Sequence, residues 1–131
     1  VLKQAKPFKT IIGVDSVFPQ EHFEFFSTFE EPFFGITTPI DCTIAFEKSK
    51  ELNIPFFIYY LQKTLIAVNQ IENFRYRIEN GNVFLYDEID SSATIMRADK
   101  TFGFSFMKFN PDLTEFNKIA FAEIERIQSS R

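Results

Sequence analysis

Residues 54–86 read IPFFIYYLQKTLIAVNQIENFRYRIENGNVFLY and carry the strongest fold signal in the chain. Pro55 suits the first turn of a helix, and the residues from Phe56 to Val68 are apolar on nearly every side. Such a helix must be buried. Asn80-Gly81 then separates two short apolar runs, which predicts a tight hairpin between strands at Phe74–Ile78 and Val83–Tyr86.

Further elements are predicted on both sides of this segment. Helices are expected at Pro19–Phe29, at Thr43–Leu52 and from Asn110 onward, and strands at Phe33–Asp41, Ala93–Ala98 and Thr101–Phe109. Pro39 lacks a backbone N–H, so the strand that contains it is expected at a sheet edge. Helices and strands thus alternate across one mixed sheet, which gives an α/β fold class. A variable arm, 1–18, precedes it, and its first part, from Val1 to about Thr10, is expected to be flexible or extended.

The strand predicted at Thr101–Phe109 alternates with period two. Phe102, Phe104 and Phe106 fall on one face, and Gly103 and Ser105 fall on the other. Gly103 therefore leaves room for another group to approach. The final helix carries its apolar residues at three- and four-residue spacing, which predicts that it lies on a core: Leu113, Phe116, Ala120, Ile124 and Ile127.

Size and charge exclude several classes. A chain of 131 residues is expected to form a single domain, 1–131. A net charge of -4 without a basic stripe argues against a nucleic-acid partner. The longest apolar run, Ile54–Leu61, is too short to span a membrane. Because no charged-then-apolar leader opens the chain, a cytoplasmic location is expected.

Two residue types occur once each. Cys42 is the only cysteine, which excludes a disulfide within these residues, and we expect it to be a small buried hydrophobe. His22 is the only histidine and is expected on the surface of the first helix. With one imidazole and one thiol, no multi-histidine metal site is expected.

The chain has nineteen phenylalanines, and ten of them form two dense groups, six at residues 23–34 and four at residues 102–109. Aromatic side chains bury about 150 to 250 Å² each and lose little rotamer freedom. Such groups build either a dense interior or a rigid apolar pocket, and the sequence pattern by itself leaves both open.

Several short motifs resemble the chloramphenicol acetyltransferase family. They occur in the family's order and cover about Glu21 to Ile127: EHFEFF at 21–26, PFFGIT at 32–37, IDCT at 40–43, FFIYY at 56–60, AVN at 67–69, FRYRI at 74–78, TI at 94–95 and TFGFS at 101–105. The specificity comes from many short matches in sequence rather than from one signature.

The resemblance implies a trimer with its active sites between subunits, which moves an acetyl group from acetyl-CoA to a hydroxyl of chloramphenicol, the chemistry of an antibiotic-resistance transferase. In that family the catalytic base is a histidine in a C-terminal His-His-x-x-x-Asp-Gly motif. No such motif exists in these 131 residues. We therefore expect the N-terminal portion of such an enzyme, truncated, inactive alone and with unburied apolar surface and exposed strand edges.

By the same resemblance, acceptor-pocket positions carry over one at a time. They are Phe25, Phe26, Phe34, Thr94, Phe102, Gly103 and Phe104. No catalytic residue carries over. Gly103 and Phe104 differ from the commonest family residues at these positions, and Glu30 stands where an apolar residue is usual, so a hydroxyl compound other than chloramphenicol is also an acceptor candidate.

Three other hypotheses stay open. The first is the acyltransferase core of a 2-oxoacid dehydrogenase complex, because such cores share the family's fold and its C-terminal motif. A non-catalytic module could keep the aromatic slot for an apolar ligand, or every phenylalanine could be core while the final helix mediates self-association.

Overall fold

The structure is a computed structural model that describes residues 9–11, 20–31, 33 and 35–130. Its elements follow the chain as β1 (Lys9–Ile11), α1 (Gln20–Ser27), α2 (Thr43–Glu51), α3 (Phe56–Gln70), a 3-10 turn (Glu72–Arg75), β2 (Tyr76–Glu79), β3 (Asn82–Tyr86), β4 (Thr94–Met96), β5 (Phe102–Phe104) and α4 (Leu113–Ser129). All four predicted helices are confirmed, as are the hairpin and the strand pair that follows it.

The core lies where α3 packs against α4. Its buried members are Ile58, Leu65, Met107, Phe116 and Ala120. The apolar stripe predicted on α4 thus faces the interior, and the nearly all-apolar α3 lies under it.

Polar groups fix the start of α4 against α3. Asp112 caps the helix because its carboxylate accepts the Glu115 N–H at 2.9 Å. Gln62 is fully buried in the middle of α3, and its Nε2 donates to the Pro111 carbonyl at 2.8 Å. The register between the two helices is therefore set by a hydrogen bond as well as by packing.

One sheet has the order β1-β3-β2 and is antiparallel throughout. Asn80 and Gly81 both adopt positive φ, 50° and 75°, as a two-residue turn between β2 and β3 requires. Lys9 of β1 forms an ion pair with Glu79 of β2, and its ammonium holds the pKa of the Glu79 carboxyl below the ordinary value.

The second sheet consists of β4 and β5, also antiparallel, with Ile95 opposite Gly103. Five residues, 97–101, join the two strands, and the fourth of them, Lys100, adopts a φ of 68°. A further bridge between Ser91 and Met107 continues the pairing away from the loop. The packing of α4 against both strands joins this sheet to the helical core.

Two expectations about local structure are wrong. Among the described residues, 33 and 35–41 form no strand: Pro39 supplies no N–H, and no strand pairs with this segment. Cys42 is exposed, because residues 35–44 are uncovered on the surface. Within the N-terminal arm, Lys9–Ile11 form the extended strand β1, and the other residues of the arm lie outside those described.

The mixture of helices and strands is confirmed, but the described strands form two small antiparallel sheets where one mixed sheet was expected. Apolar surface is left uncovered, as expected. It includes Phe25, Phe29, Phe33, Ile36, Ile40, Ile44, Ile78, Met96, Phe102 and Phe104.

Candidate functional site

Phe102 and Phe104 of β5 form an exposed aromatic pair. Their ring centroids are 5.7 Å apart with planes at 83°, an edge-to-face contact. Phe102 is 60% exposed and Phe104 is 72% exposed, whereas Gly103 and Ser105 between and beyond them are buried. The predicted alternation is confirmed, and its aromatic side is the one that faces outward.

The neighbouring strand extends this surface. Thr94 is directly opposite Phe104, and Met96 is directly opposite Phe102. Residues directly opposite one another in an antiparallel pair project from the same face of the sheet. Thr94, Met96, Phe102 and Phe104 therefore form one exposed surface, called here the β4–β5 aromatic face. Met96 was missed in the sequence, although its two-residue spacing from Thr94 is a signal that could have found it.

Gly103 lies on the other side of the strand from the aromatic face. A Cβ built on it would be 2.7 Å from Arg97 Nη2 and 2.8 Å from Ile127 Cγ2. The group that approaches this glycine is thus a neighbouring part of the protein. The glycine allows α4 and Arg97 to lie close against the back of the aromatic face.

The aromatic residues of α1 form a separate exposed cluster. The rings of Phe25, Phe26 and Phe29 contact one another with centroids 5.1 to 5.3 Å apart. No residue of α1 is buried. Among the described residues no aromatic contact joins this cluster to the β4–β5 aromatic face, so the predicted pocket residues stand in two groups. Phe34 lies outside the described residues.

The histidine lies where it was expected, since His22 is exposed on α1. Within the described part of the chain, no group of three or more His, Cys, Asp or Glu side chains could hold a metal ion. None of the helices described there has the length and apolarity needed to cross a membrane.

An open groove of about 520 Å³ lies elsewhere, between α4 and the connection from α2 to α3. Phe46, Phe56 and Phe121 line it, and Lys50 Nζ lies 4.2 Å from the centroid of the Phe46 ring. It contains none of the predicted pocket residues.

A family model described as chloramphenicol acetyltransferase matches residues 8–130. The chain belongs to the chloramphenicol acetyltransferase family. A solved structure of a chloramphenicol acetyltransferase superposes with a TM-score of 0.85 at 32% identity, covering 95% of this chain and 59% of that one. This confirms the family and the fold class that the sequence motifs predicted.

A chloramphenicol acetyltransferase of Proteus mirabilis is 24% identical to the chain over 100 residues. The aligned region covers 76% of this chain and 46% of the relative. The chain therefore spans about half the length of the curated relative it matches.

Proposed function

We propose that this chain supplies the acceptor-binding side of an acetyltransferase that moves an acetyl group from acetyl-CoA to a hydroxyl of chloramphenicol or a similar small alcohol. Family membership gives the reaction class. The observation that carries the proposal is the β4–β5 aromatic face, where two phenylalanines remain largely exposed on a short, ordered strand pair. Rigid aromatic surface of this kind suits a flat, apolar ligand that presents one hydroxyl.

The second aromatic group of the proposed pocket is on α1, with Phe25 and Phe26 as the contributing side chains and Phe34 beyond the helix. Like the rings of the β4–β5 aromatic face, those of Phe25 and Phe26 are exposed. The uncovered apolar surface and the two short sheets also favour assembly with further polypeptide, and a trimer in the cytoplasm is the arrangement we propose by family. In the cell such an enzyme would confer resistance to the antibiotic.

The proposed chemistry needs a base that these 131 residues do not supply. For an alcohol to attack the acetyl-CoA thioester, its proton must pass to a positioned base, a contribution of about 10²- to 10⁴-fold in rate. Hydrogen-bond donors must then stabilise the oxyanion until coenzyme A leaves as the thiol. His22 is the only histidine of the chain and is exposed on α1. We therefore propose that this polypeptide binds the acceptor but does not catalyse acetyl transfer.

Titration calorimetry with chloramphenicol tests the binding half of the proposal. We expect the 131-residue chain to bind, Phe102→Ala to abolish or strongly weaken binding, and Phe74→Ala to leave it unchanged. Phe74 is a matched control because it is comparably exposed, at 56%, and lies just before β2, which belongs to the other sheet.

A thiol-release assay with acetyl-CoA and chloramphenicol tests the catalytic half. No turnover above the uncatalysed rate is expected. Clear turnover by this chain would contradict the missing-base argument, and absence of chloramphenicol binding would contradict the acceptor assignment in favour of a structural or assembly role.

A further inference from the structure

Along β5, the backbone N–H and C=O groups of successive residues point alternately toward β4 and toward the outer edge of the sheet. Thr101, Ser105 and Met107 make backbone hydrogen bonds to the segment that contains β4. In antiparallel pairing the intervening residues direct their N–H and C=O groups to the opposite edge. Backbone groups of the even-numbered residues from Phe102 to Phe106 therefore lie on the edge away from β4, and these are the residues whose rings face outward.

Two side chains of α4 bind backbone groups at that edge. Arg126 Nη2 donates to the Phe104 carbonyl at 3.4 Å. Glu123 Oε1 accepts the Phe106 N–H at 2.7 Å, and the same carboxylate accepts a hydrogen bond from Arg126 Nη2 at 2.7 Å. The helix thus holds the far end of β5 through a paired carboxylate and guanidinium.

Arg97 binds the backbone at the other end of β5, where the strand begins at Phe102, and it makes the larger set of contacts. Its Nη1 donates to the Phe102 carbonyl at 2.6 Å, and its Nε donates to the Ile127 carbonyl at 3.1 Å. Its Nη2 lies 3.3 Å from Ser130 Oγ. One half-buried guanidinium therefore connects the residue that carries the first exposed ring to the last turn of α4.

We propose that Arg97 is a positioning residue for acceptor binding, which fixes the angle at which β5 presents Phe102 and Phe104. The inference rests on the function proposed above. A guanidinium is rigid and planar, and its separate nitrogens reach the Phe102 and Ile127 carbonyls at once. A lysine ammonium is a single point on a flexible stem and cannot span both carbonyls with the same geometry.

The absent side chain of Gly103 is part of this device. Because a Cβ there would lie 2.7 Å from Arg97 Nη2, the guanidinium occupies the space directly behind the aromatic face. The ring positions are thus set from behind by Arg97 and from within the strand by the β4 pairing.

The test compares Arg97→Gln and Arg97→Lys with Arg77→Gln. Arg77 is a matched control, because its Nη1 also donates to backbone carbonyls, those of Phe74 and Tyr76, but on the other sheet. Circular dichroism and thermal unfolding first establish that each variant is folded at the measuring temperature. The first readout is the ¹⁹F spectrum of protein containing 4-fluorophenylalanine, with three resonances assigned through Phe46→Leu, Phe102→Leu and Phe104→Leu. The second is the Kd for chloramphenicol.

We expect Arg97→Gln to move the fluorine resonances of Phe102 and Phe104, to leave that of Phe46 in place, and to raise the Kd about tenfold, the equivalent of losing one charge-assisted hydrogen bond. Arg97→Lys should have a smaller effect on both readouts, and Arg77→Gln should change neither. If Arg97→Gln does not fold, Arg97→Lys carries the test with the same readouts.

Unchanged resonances and an unchanged Kd in folded Arg97 variants would overturn the inference. A lower melting temperature with neither readout altered would do the same, since it would show a merely structural role. If the unsubstituted chain does not bind chloramphenicol but Arg97→Gln moves both resonances, the acceptor assignment fails and the control of ring geometry by Arg97 is supported.

Discussion

Replacing Gly103 with alanine tests how closely α4 packs against β5. The new Cβ would lie 2.7 Å from Arg97 Nη2 and 2.8 Å from Ile127 Cγ2. Neither neighbour can move without consequence. Ile127 is fully buried, and Arg97 is held by carbonyl oxygens of both β5 and α4.

The size of the effect follows from these two contacts. Forcing one methyl group into a well-packed site costs about 1 to 3 kcal/mol. Displacing the guanidinium weakens hydrogen bonds that involve a charged group, each worth about 1.5 to 3 kcal/mol. Because the two costs overlap, we expect Gly103→Ala to lower the free energy of unfolding by about 2 to 4 kcal/mol and the melting temperature by on the order of 10 °C.

Urea unfolding followed by circular dichroism measures the change, and two other glycines serve as controls. Gly35 has nothing within 4 Å of an added Cβ and no positive φ, so Gly35→Ala should be neutral or stabilising by up to about 1 kcal/mol. Gly81 also has open space but a φ of 75°, so Gly81→Ala should cost about 1 kcal/mol through backbone strain.

The three alanines therefore separate packing from backbone conformation. If Gly103→Ala were as harmless as Gly35→Ala, α4 and Arg97 would not lie against this strand, and the positioning role of Arg97 would lose its geometric basis.

Three further predictions use the same unfolding measurement. Phe116→Ala should cost about 3 to 5 kcal/mol because the ring is fully buried, whereas Phe104→Ala should cost less than about 1 kcal/mol; equal losses would contradict the outward placement of Phe104. Asp112→Ala removes the cap of α4 and should cost about 1 kcal/mol, while Asp112→Asn, which keeps a capping oxygen, should cost less. The ion pair with Arg126 and the Phe106 N–H hold the pKa of Glu123 below its ordinary 4.5, so its stabilising contribution is present above that pH and is lost as the pH falls through the lowered pKa. Glu123→Gln should therefore reduce the loss of stability on acidification in a urea series run from pH 7 down to pH 3, and an unchanged acid dependence would count against this pairing.

The elements that could be predicted from sequence are those whose signal is local. The apolar run of α3, the capped and periodic α4, and the Asn80-Gly81 turn each specify their own backbone conformation. The segment after Pro32 has apolar and β-branched residues typical of a strand, but a strand also needs a partner, and its sequence holds no information about where one would come from.

The two faces of β5 could be separated from the sequence, but their directions could not. Period-two spacing shows that Phe102 and Phe104 share a face, whereas only the position of α4 decides that this face is outward. Hydrophobicity favours the opposite assignment, because phenylalanine is usually buried and serine is usually exposed. The family resemblance names the same phenylalanines as acceptor-pocket residues, and that assignment stays a prediction.

Arg97 left no signal in the sequence. Its partners are main-chain carbonyls, which every residue carries, and one of them is 30 positions away. Cys42 shows the converse limit: a residue type that is usually buried lies on the surface because its segment is uncovered.

The charged side chains along the outer edge of β5 also bear on how the protein behaves in concentrated solution. An unprotected edge strand is a template on which a second polypeptide can form ladder hydrogen bonds, the first step toward ribbons and fibrils. A strand that added to β5 would have to displace three side chains from the Phe102 and Phe104 carbonyls and the Phe106 N–H, which they already bind: Arg97, Glu123 and Arg126. These three side chains thus protect this edge against polymerisation, in a protein with much uncovered apolar surface.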